Sequence, residues 1–598
     1  MPISISDLFR VPRLWWIDLT PDGKVMLYSS NAPGLFHLYV CPTRLGSKPK
    51  QITNGNNPVL YGVLSPTGDQ VVYMQDEDGN EMHHLFLTSR DGTKTRKLTR
   101  EPCRTSDAGW HPNGKEVARA YGGKTLCGVD IFDLRTDECF VLKEQEEYLG
   151  GIKYSHDGKW IAYTEYGGGK DPRNMQVAVV NRNDSTDIVH YKFKDGSKEE
   201  VASWSPDDRK LALLSNVRGK MEVVIQDFQN EERLFLSLEE GEEVPEFVDV
   251  GWSSKSNKVY YVVSKHSRTK VYAHPLDGER TPLPFPEGTI DYQKFSQDGR
   301  FMIALHSSMS SPPCVYSCDI ESHTVTPLSS GKSKIDFSKL AKPESVWYES
   351  SDGLKIHSWY LPAGYGKPSR PAVVWPHGGP WWQVYDAWSP FLHSFSQSGF
   401  AVLAPNFRGS TGYGAEFRDM DLSDAGGGDL EDVVAGAKWL AKQRNINKSR
   451  IAICGGSYGG YMTLMALTKK PEVFAAGVAW VPVTDWSEMY ELSDATYRQF
   501  MEELFKGSLE KNREAYRNSS PITFISQIRA PVLVMCGRND SRCPIQPIEK
   551  FVKKLEEMNH SHEFIVDEKK GHLVGKVDSS ISEVTTWVDY FKKTLGTG

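Results

Sequence analysis

The chain has 598 residues, more than one hydrophobic core accommodates, so we expect at least two domains. Its net charge of −7 and pI near 6.2 give no basic surface for nucleic acid, and no apolar run approaches the ~18 residues that a membrane span requires. The N-terminus lacks the basic start and apolar core of a signal peptide, and the nine cysteines are an odd number typical of cytosolic thiols, so we expect a cytoplasmic protein.

The first 340 residues contain a repeat. Each copy has an aromatic or apolar residue, then a sequence close to Ser/Thr-Pro-Asp-Gly-Lys, then a hydrophobic strand. Such a copy suits four short antiparallel strands, the blade of a β-propeller, with Pro-Asp-Gly forming a tight turn. We therefore predict a β-propeller over residues 16–340, preceded by a segment, 1–15, that is expected to pack on the domain that follows the propeller, residues 341–598. We favour seven blades over six, although the last two copies are the most diverged. The copies recur 43 to 50 residues apart, marked by Pro21, Pro66, Pro112, His156, Pro206, Ser254 and Gln297.

Beyond residue 340 the repeat ends, and apolar strands alternate with amphipathic helices. Residues 401–405 are predicted to form a strand, and residues 427–442 a helix with acidic residues in its first turn. This alternation predicts a mostly parallel, doubly wound sheet, the α/β-hydrolase type, over residues 341–598. The strand at 372–376 runs into His377-Gly378-Gly379, a turn of the kind that supplies an oxyanion N–H in lipases and esterases. We assign that role to Gly379.

Residues 455–460, Gly-Gly-Ser-Tyr-Gly-Gly, lie between a predicted strand at 450–454 and a predicted helix from 461. A serine held between glycines on a sharp strand-to-helix turn is the nucleophile elbow of an α/β-hydrolase. We predict Ser457 as the nucleophile. The amide of Tyr458, directly after it, is the expected second oxyanion donor.

The other two members of a catalytic triad are expected downstream, in the order acid and then histidine. The apolar run at 531–537 predicts a buried parallel strand, and Asp540 lies just past its end. After an amphipathic helix and the strand at 563–566, His572 falls in the following loop. We predict Asp540 and His572 as the acid and the general base, and we keep Asp567 as the alternative acid.

A propeller followed by these motifs resembles the prolyl oligopeptidase family, and more narrowly its acylaminoacyl peptidase branch. True prolyl oligopeptidases carry Asn after the nucleophile, where this chain has Tyr458, and the glutamate pairs here lack the aromatic context of the dipeptidyl peptidase clamp. The resemblance is specific from about Val346 onward. It is carried by residues 377–380, 406–414, 455–461, 485–494 and 539–542.

This resemblance implies release of N-acylated amino acids from short blocked peptides, with small esters as further substrates. It also implies that Arg542 hydrogen-bonds a substrate carbonyl, the alternative being a salt bridge to the propeller. Trp486, Tyr497 and Phe500 are candidates for an apolar specificity pocket, or else for ordinary helix packing. No phosphate loop or cofactor motif stands out, so no cofactor or metal is expected. An esterase or lactonase with a shielding propeller, and a relative of the dipeptidyl or oligopeptidases, remain as alternatives, and the oligomeric state is left open.

Overall fold

The structure, a computed structural model, describes residues 2–168, 173–245, 248–328, 335–364, 369–572 and 575–596. A short helix α1, Ile5–Phe9, comes first, and seven separate four-stranded antiparallel sheets follow. The prediction of a seven-bladed propeller is confirmed. In chain order the blades are Leu14–Leu19, Val25–Ser30, His37–Pro42 and Lys50–Gln51 (β1–β4); Tyr61–Leu64, Gln70–Gln75, His84–Ser89 and Thr95–Lys97 (β5–β8); Arg104–Trp110, Glu116–Gly122, Cys127–Asp133 and Glu138–Gln145 (β9–β12); Leu149–Tyr154, Trp160–Tyr166, Met175–Asn181 and Asp184–Tyr191 (β13–β16); Glu199–Trp204, Lys210–Ser215, Glu222–Asp227 and Arg233–Phe235 (β17–β20); Gly251–Trp252, Lys258–Lys265, Arg268–Pro275 and Thr281–Pro282 (β21–β24); and Thr289–Phe295, Phe301–Ser308, Ser311–Asp319 and Thr324–Pro327 (β25–β28).

The repeated turn joins the first two strands of a blade. In blade 4 the Ser155 hydroxyl donates to Asp157 at 2.7 Å and accepts the backbone N–H of Trp160 at 3.0 Å, which closes the turn. The glycine of the turn, Gly158, has φ of +75°, a conformation that favours glycine. The sequence repeat therefore reflects one local hydrogen-bonding unit that recurs in successive blades.

The ring closes between blades 7 and 1 by apolar packing. Ile17 and Met26 of blade 1 share a buried cluster with Ile303 and Val315 of blade 7. Each blade is made of four consecutive strands, so within the described part of the chain the two ends exchange no strand. The ends are held instead by a second small cluster, in which Leu8, Val11, Leu340 and Trp388 pack together.

The second domain is an α/β-hydrolase, as predicted, with one eight-stranded sheet in the order β29-β30-β32-β31-β33-β34-β35-β36. Strands β31 to β36 pair in parallel, and β29 and β30 form an antiparallel edge. The strands are Glu344–Glu349, Lys355–Leu361, Arg370–Val374, Ala401–Asn406, Ile446–Gly456, Gly477–Trp480, Val532–Gly537 and His562–Asp567 (β29–β36). The helices are Pro390–Gln397, Ala415–Arg418, Gly428–Ala441, Tyr458–Lys469, Trp486–Leu492, Ala495–Phe505, Leu509–Asn518, Ile545–Glu557 and Val577–Thr594 (α2–α10).

Helices cover both faces of this sheet, as a parallel sheet requires. On one face α4 and α5 pack in a large apolar cluster, and on the other α2 and α10 pack around Trp587. Helix α1 joins the second face through Phe9, whose ring lies 5.1 Å from that of Phe391. The N-terminal segment is thus attached to the second domain before the chain enters the propeller.

Two further observations concern the chain as a whole. All nine cysteines are free thiols. Among the described residues, none of the helices combines the length and the apolar character needed to cross a bilayer.

Candidate active site

Ser457 lies on a strained turn between β33 and α5. Its φ of +58° and ψ of −122° are rare for a residue with a side chain, and the surrounding sheet and helix hold it there. The turn leaves no room for larger neighbours, because a Cβ added to Gly459 would lie 2.2 Å from the carbonyl oxygen of Pro376. The elbow therefore places Ser457 at the carboxyl edge of the parallel strands, beside the turn that follows β31.

Asp540 and His572 meet at the same edge of the sheet. Asp540 follows β35, and one of its carboxylate oxygens, Oδ1, accepts the backbone N–H groups of Arg542 at 2.9 Å and Cys543 at 2.8 Å. The other oxygen, Oδ2, lies 2.8 Å from Nδ1 of His572, in the loop after β36. With the proton on Nδ1, the opposite ring nitrogen of His572 is a proton acceptor. The carboxylate has no solvent exposure, so this orientation is well defined.

The turn predicted to supply an oxyanion donor lies against the elbow. A Cβ added to Gly378 would lie 3.5 Å from Cβ of Ser457, and Gly379 lines the cavity in front of it. His377 fixes the turn, since its Nε2 pairs with the Ser410 hydroxyl at 2.8 Å. Burial lowers the pKa of His377 to about 4, so the ring is neutral and acts by positioning the backbone.

The side chain of Tyr458 points away from the cavity into the core beneath α5. Its hydroxyl donates to Asp429 at 2.6 Å. Burial raises the pKa of Asp429 to about 6, although this hydrogen bond works in the opposite direction. Tyr458 is thereby anchored as the first residue of α5, which fixes the N–H that was predicted as an oxyanion donor.

A propeller loop, residues 76–83 of blade 2, contacts the catalytic loops directly. A Cβ added to Gly571, next to His572, would lie 1.6 Å from the carbonyl oxygen of Gly79. The side chain of Asn539 also donates to the carbonyl of Asp78 at 3.3 Å. The two loops that carry the predicted acid and base therefore rest on the propeller.

Glu81 of this blade-2 loop is a component of the site that the sequence did not reveal. Arg542 donates Nε to Glu81 Oε2 at 2.7 Å, and Arg104 of β9 donates Nη1 to the same oxygen at 3.0 Å. Arg104 also binds Asp494 through Nε at 2.7 Å. Arg542 thus makes the salt bridge that was the alternative to a substrate contact, although its side chain is still one-third exposed.

The three aromatic candidates occupy different places. Trp486 is 1% exposed and packs on Tyr461 in the core, which corrects the expectation that it lines a specificity pocket. The ring of Tyr497 lies under the Arg104 guanidinium at 4.8 Å, so it is part of the ionic cluster. Phe500 lines the cavity, and its ring contacts that of Trp381 at a centroid distance of 5.2 Å.

The cavity between the domains has a volume of about 840 Å³. The hydrolase contributes Gly379, Trp381 and Phe500 to its wall, and the inner strands of the propeller enclose the other side. Lys198 of the propeller lies 5.2 Å above the Trp381 ring and pairs with Glu503 at 2.6 Å. The hydrolase side of the cavity therefore carries the aromatic residues Trp381 and Phe500, with one ion pair across the domain boundary.

Cys543 also lies at the site, three residues after Asp540. Its Sγ, a carboxylate oxygen of Asp540 and a ring nitrogen of His572 are all within 4.8 Å of one another, and all three residues are buried. This is the group in the described part of the chain whose ligand atoms could hold a metal ion.

Comparison with known proteins shows similarity to serine peptidases in sequence and in fold. Residues 387–598 match the model of the prolyl oligopeptidase family. Dipeptidyl aminopeptidase BIII of Pseudoxanthomonas mexicana is 25% identical over 95% of this chain and 85% of its own length. The acylamino-acid-releasing enzyme of Rattus norvegicus is 29% identical over 38% of this chain and 32% of its own length. A solved puromycin-hydrolyzing peptidase of Mycobacterium tuberculosis has the same fold, with a TM-score of 0.87, 20% identity, and coverage of 100% of this chain and 96% of its own.

Proposed function

We propose that this serine hydrolase, whose residues 387–598 match the model of the prolyl oligopeptidase family, releases N-acylated amino acids from the blocked ends of short peptides. Small esters are additional substrates. The observation that carries the proposal is the neutralised ionic cluster beside the predicted triad. Glu81 and Asp494 are matched there by Arg104 and Arg542. Two carboxylates against two guanidinium groups leave no net negative charge to hold a substrate ammonium.

In this proposal Ser457, His572 and Asp540 act as the catalytic triad. His572 takes the proton of the Ser457 hydroxyl, which attacks the scissile carbonyl, while Asp540 orients and stabilises the imidazolium. The backbone N–H groups of Tyr458 and Gly379 stabilise the oxyanion. An acyl-enzyme forms, the amine leaves with the proton from His572, and water then releases the acylated amino acid.

Arg542 is proposed to donate a hydrogen bond to the acyl carbonyl of the substrate. The contacts of Arg542 with Glu81 use Nε and Nη2, so the planar guanidinium can present Nη1 in a direction fixed by that salt bridge. A neutral carbonyl accepts a hydrogen bond from this group, whereas a free ammonium has only donors and cannot. Trp381 and Phe500 supply an apolar wall for the amino-acid side chain.

The test compares N-acetyl-Phe p-nitroanilide, Phe p-nitroanilide, a dipeptide p-nitroanilide with a free N-terminus and a short p-nitrophenyl ester. We expect the acetylated anilide to have a kcat/KM at least tenfold above both unblocked anilides. Arg542→Ala should reduce cleavage of the acetylated anilide more than cleavage of the ester. Arg542→Lys should recover little of the lost anilide activity, because lysine lacks the planar donor pair. Equal loss on both substrates would give Arg542 a purely structural role.

A second candidate is a dipeptidyl aminopeptidase, and it is favoured by one observation. The full-length relative from Pseudoxanthomonas mexicana carries that name and aligns with both domains. Faster cleavage of the unblocked dipeptide anilide than of the acetylated substrate would establish this alternative and overturn the acylaminoacyl proposal. Hydrolysis of the ester alone would instead indicate a carboxylesterase with a shielding propeller.

A further inference from the structure

Cys543 introduces a soft ligand into the centre of the candidate active site. It lies on the turn before α9, and its backbone N–H is one of the two that hold the Asp540 carboxylate. The thiol takes no part in either step of the proposed reaction, the formation or the hydrolysis of the acyl-enzyme.

The cluster has the donor set of a zinc site. Zinc binds thiolate sulfur at about 2.3 Å and imidazole nitrogen or carboxylate oxygen at about 2.0–2.2 Å, in a tetrahedral arrangement. Ligand atoms around such an ion lie about 3.3–3.7 Å apart, by those bond lengths. The ligand atoms here lie within 4.8 Å of one another. Side-chain movements of about 1 Å therefore suffice to close the set around one ion.

Charge also favours a divalent cation. A thiolate from Cys543 and the Asp540 carboxylate together carry two negative charges, which balance Zn²⁺ or Cd²⁺, and His572 contributes a neutral nitrogen. A fourth position is left for water. The interdomain cavity, about 840 Å³ in volume, reaches Gly379, which follows the residue that packs on Cβ of Ser457.

We propose that Asp540, Cys543 and His572 form an inhibitory site for a thiophilic divalent cation such as Zn²⁺ or Cd²⁺. The thiol proton leaves to solvent as the metal–sulfur bond forms, and a ring nitrogen donates its electron pair to the ion. Binding is therefore incompatible with proton transfer from Ser457, and the peptidase is reversibly switched off. The inhibitory effect rests on the proposed triad, whereas metal binding itself does not.

The experiment titrates Cd²⁺ into the full chain and records both peptidase activity and the ultraviolet charge-transfer band of a cadmium–thiolate bond. Cys543→Ala removes the ligand and keeps the backbone N–H; Cys543→Val is the second variant in case the space left by alanine perturbs the fold. Cys139→Val is the matched control, because Cys139 is exposed and lies on the propeller. Inhibition is expressed relative to the metal-free rate of each variant.

We expect one thiolate-bound Cd²⁺ at this site per chain, inhibition that EDTA reverses, and the same response in Cys139→Val. Both Cys543 variants should require at least tenfold more metal for half-inhibition and should lose the corresponding band. Unchanged inhibition in both variants, or no Cys543-dependent band in the wild type, overturns the proposal. The two proposals can fail separately. If the wild type shows no peptidase activity but Ser457→Ala still shows the cadmium–thiolate band, the metal site stands and the proposed function fails.

Discussion

Glu81→Gln tests how strongly the propeller controls the candidate active site. The substitution keeps the size and one carbonyl acceptor but removes the charge that holds Arg542 and Arg104. Burial would by itself raise the pKa of Glu81, but the two guanidinium groups outweigh burial and lower it from 4.5 to about 2. That difference corresponds to about 3 kcal/mol in favour of the folded, paired state. The side chain is 4% exposed, so solvent screens this interaction little.

The sign of the pH dependence follows from the direction of the shift. A carboxyl whose pKa is depressed in the folded state contributes its full stabilisation above pH 4.5 and loses it as the pH falls towards 2. At pH 7 the variant therefore lacks about 3 kcal/mol, which corresponds to local opening roughly 100-fold more frequent. Glu81→Gln should not show the loss of stability that protonation of Glu81 causes in the wild type as the pH falls from 4.5 towards 2.

Hydrogen–deuterium exchange of peptides covering residues 76–83 and 538–545 measures this opening directly. We expect both segments to exchange up to about 100-fold faster in Glu81→Gln, with kcat/KM for the acetylated anilide reduced in parallel. The control is Glu77→Gln, an exposed glutamate in the same loop. Exchange within twofold of the wild type in both segments would refute the coupling between this salt bridge and the catalytic loops.

The remaining predictions concern the catalytic triad, the buried position of Trp486 and the size of the substrates. Ser457→Ala should lower kcat by roughly 10⁴–10⁶ with an unchanged near-ultraviolet circular dichroism spectrum, and Asp540→Asn should cost somewhat less; activity within tenfold of wild type for Ser457→Ala would exclude this triad. Trp486→Ala should lower the free energy of unfolding in urea by about 3–5 kcal/mol, because it removes a buried side chain. Phe500→Ala should mainly raise KM for aromatic substrates. The reverse pattern would show that Trp486 lines the pocket. Because the cavity is enclosed by the propeller, short peptides should be cleaved and denatured casein should not, and rapid casein digestion would show that the domains part widely.

Much of the architecture could be predicted because it is encoded locally. Each propeller turn is a short hydrogen-bonded unit, so seven copies in the sequence give seven blades in the structure. The order of strands and helices likewise placed Ser457, Asp540 and His572 after three parallel strands, β33, β35 and β36, whose ends bring loops together. The resemblance to the acylaminoacyl peptidase branch of the prolyl oligopeptidase family is supported by the family match and by the acylamino-acid-releasing relatives.

The parts that could not be predicted depend on contacts between distant segments. Glu81 meets Arg542 across 461 residues of sequence, and nothing in its local sequence distinguishes it from an exposed acid. Trp486 follows an N-cap at the start of α6, where an aromatic side chain can turn either to the core or to a cavity. Only the packing of α5 and α7 around it decides between those two orientations.

The manner in which the propeller ring closes determines what can be removed from this protein. The ring is an open string of seven units, and its two free ends are kept adjacent by Leu8 and Val11 on one side and by Leu340 and Trp388 on the other. The hydrolase and α1 therefore hold the two ends of the propeller ring together. An excised propeller of residues 14–327 would lack these contacts, and only the apolar packing between its first and last blades would keep the ring closed. We therefore expect the two domains to fold together, since they also share buried apolar clusters: Met309 of the propeller packs with the hydrolase core, and Ala495 of the hydrolase packs with blades 3 and 4.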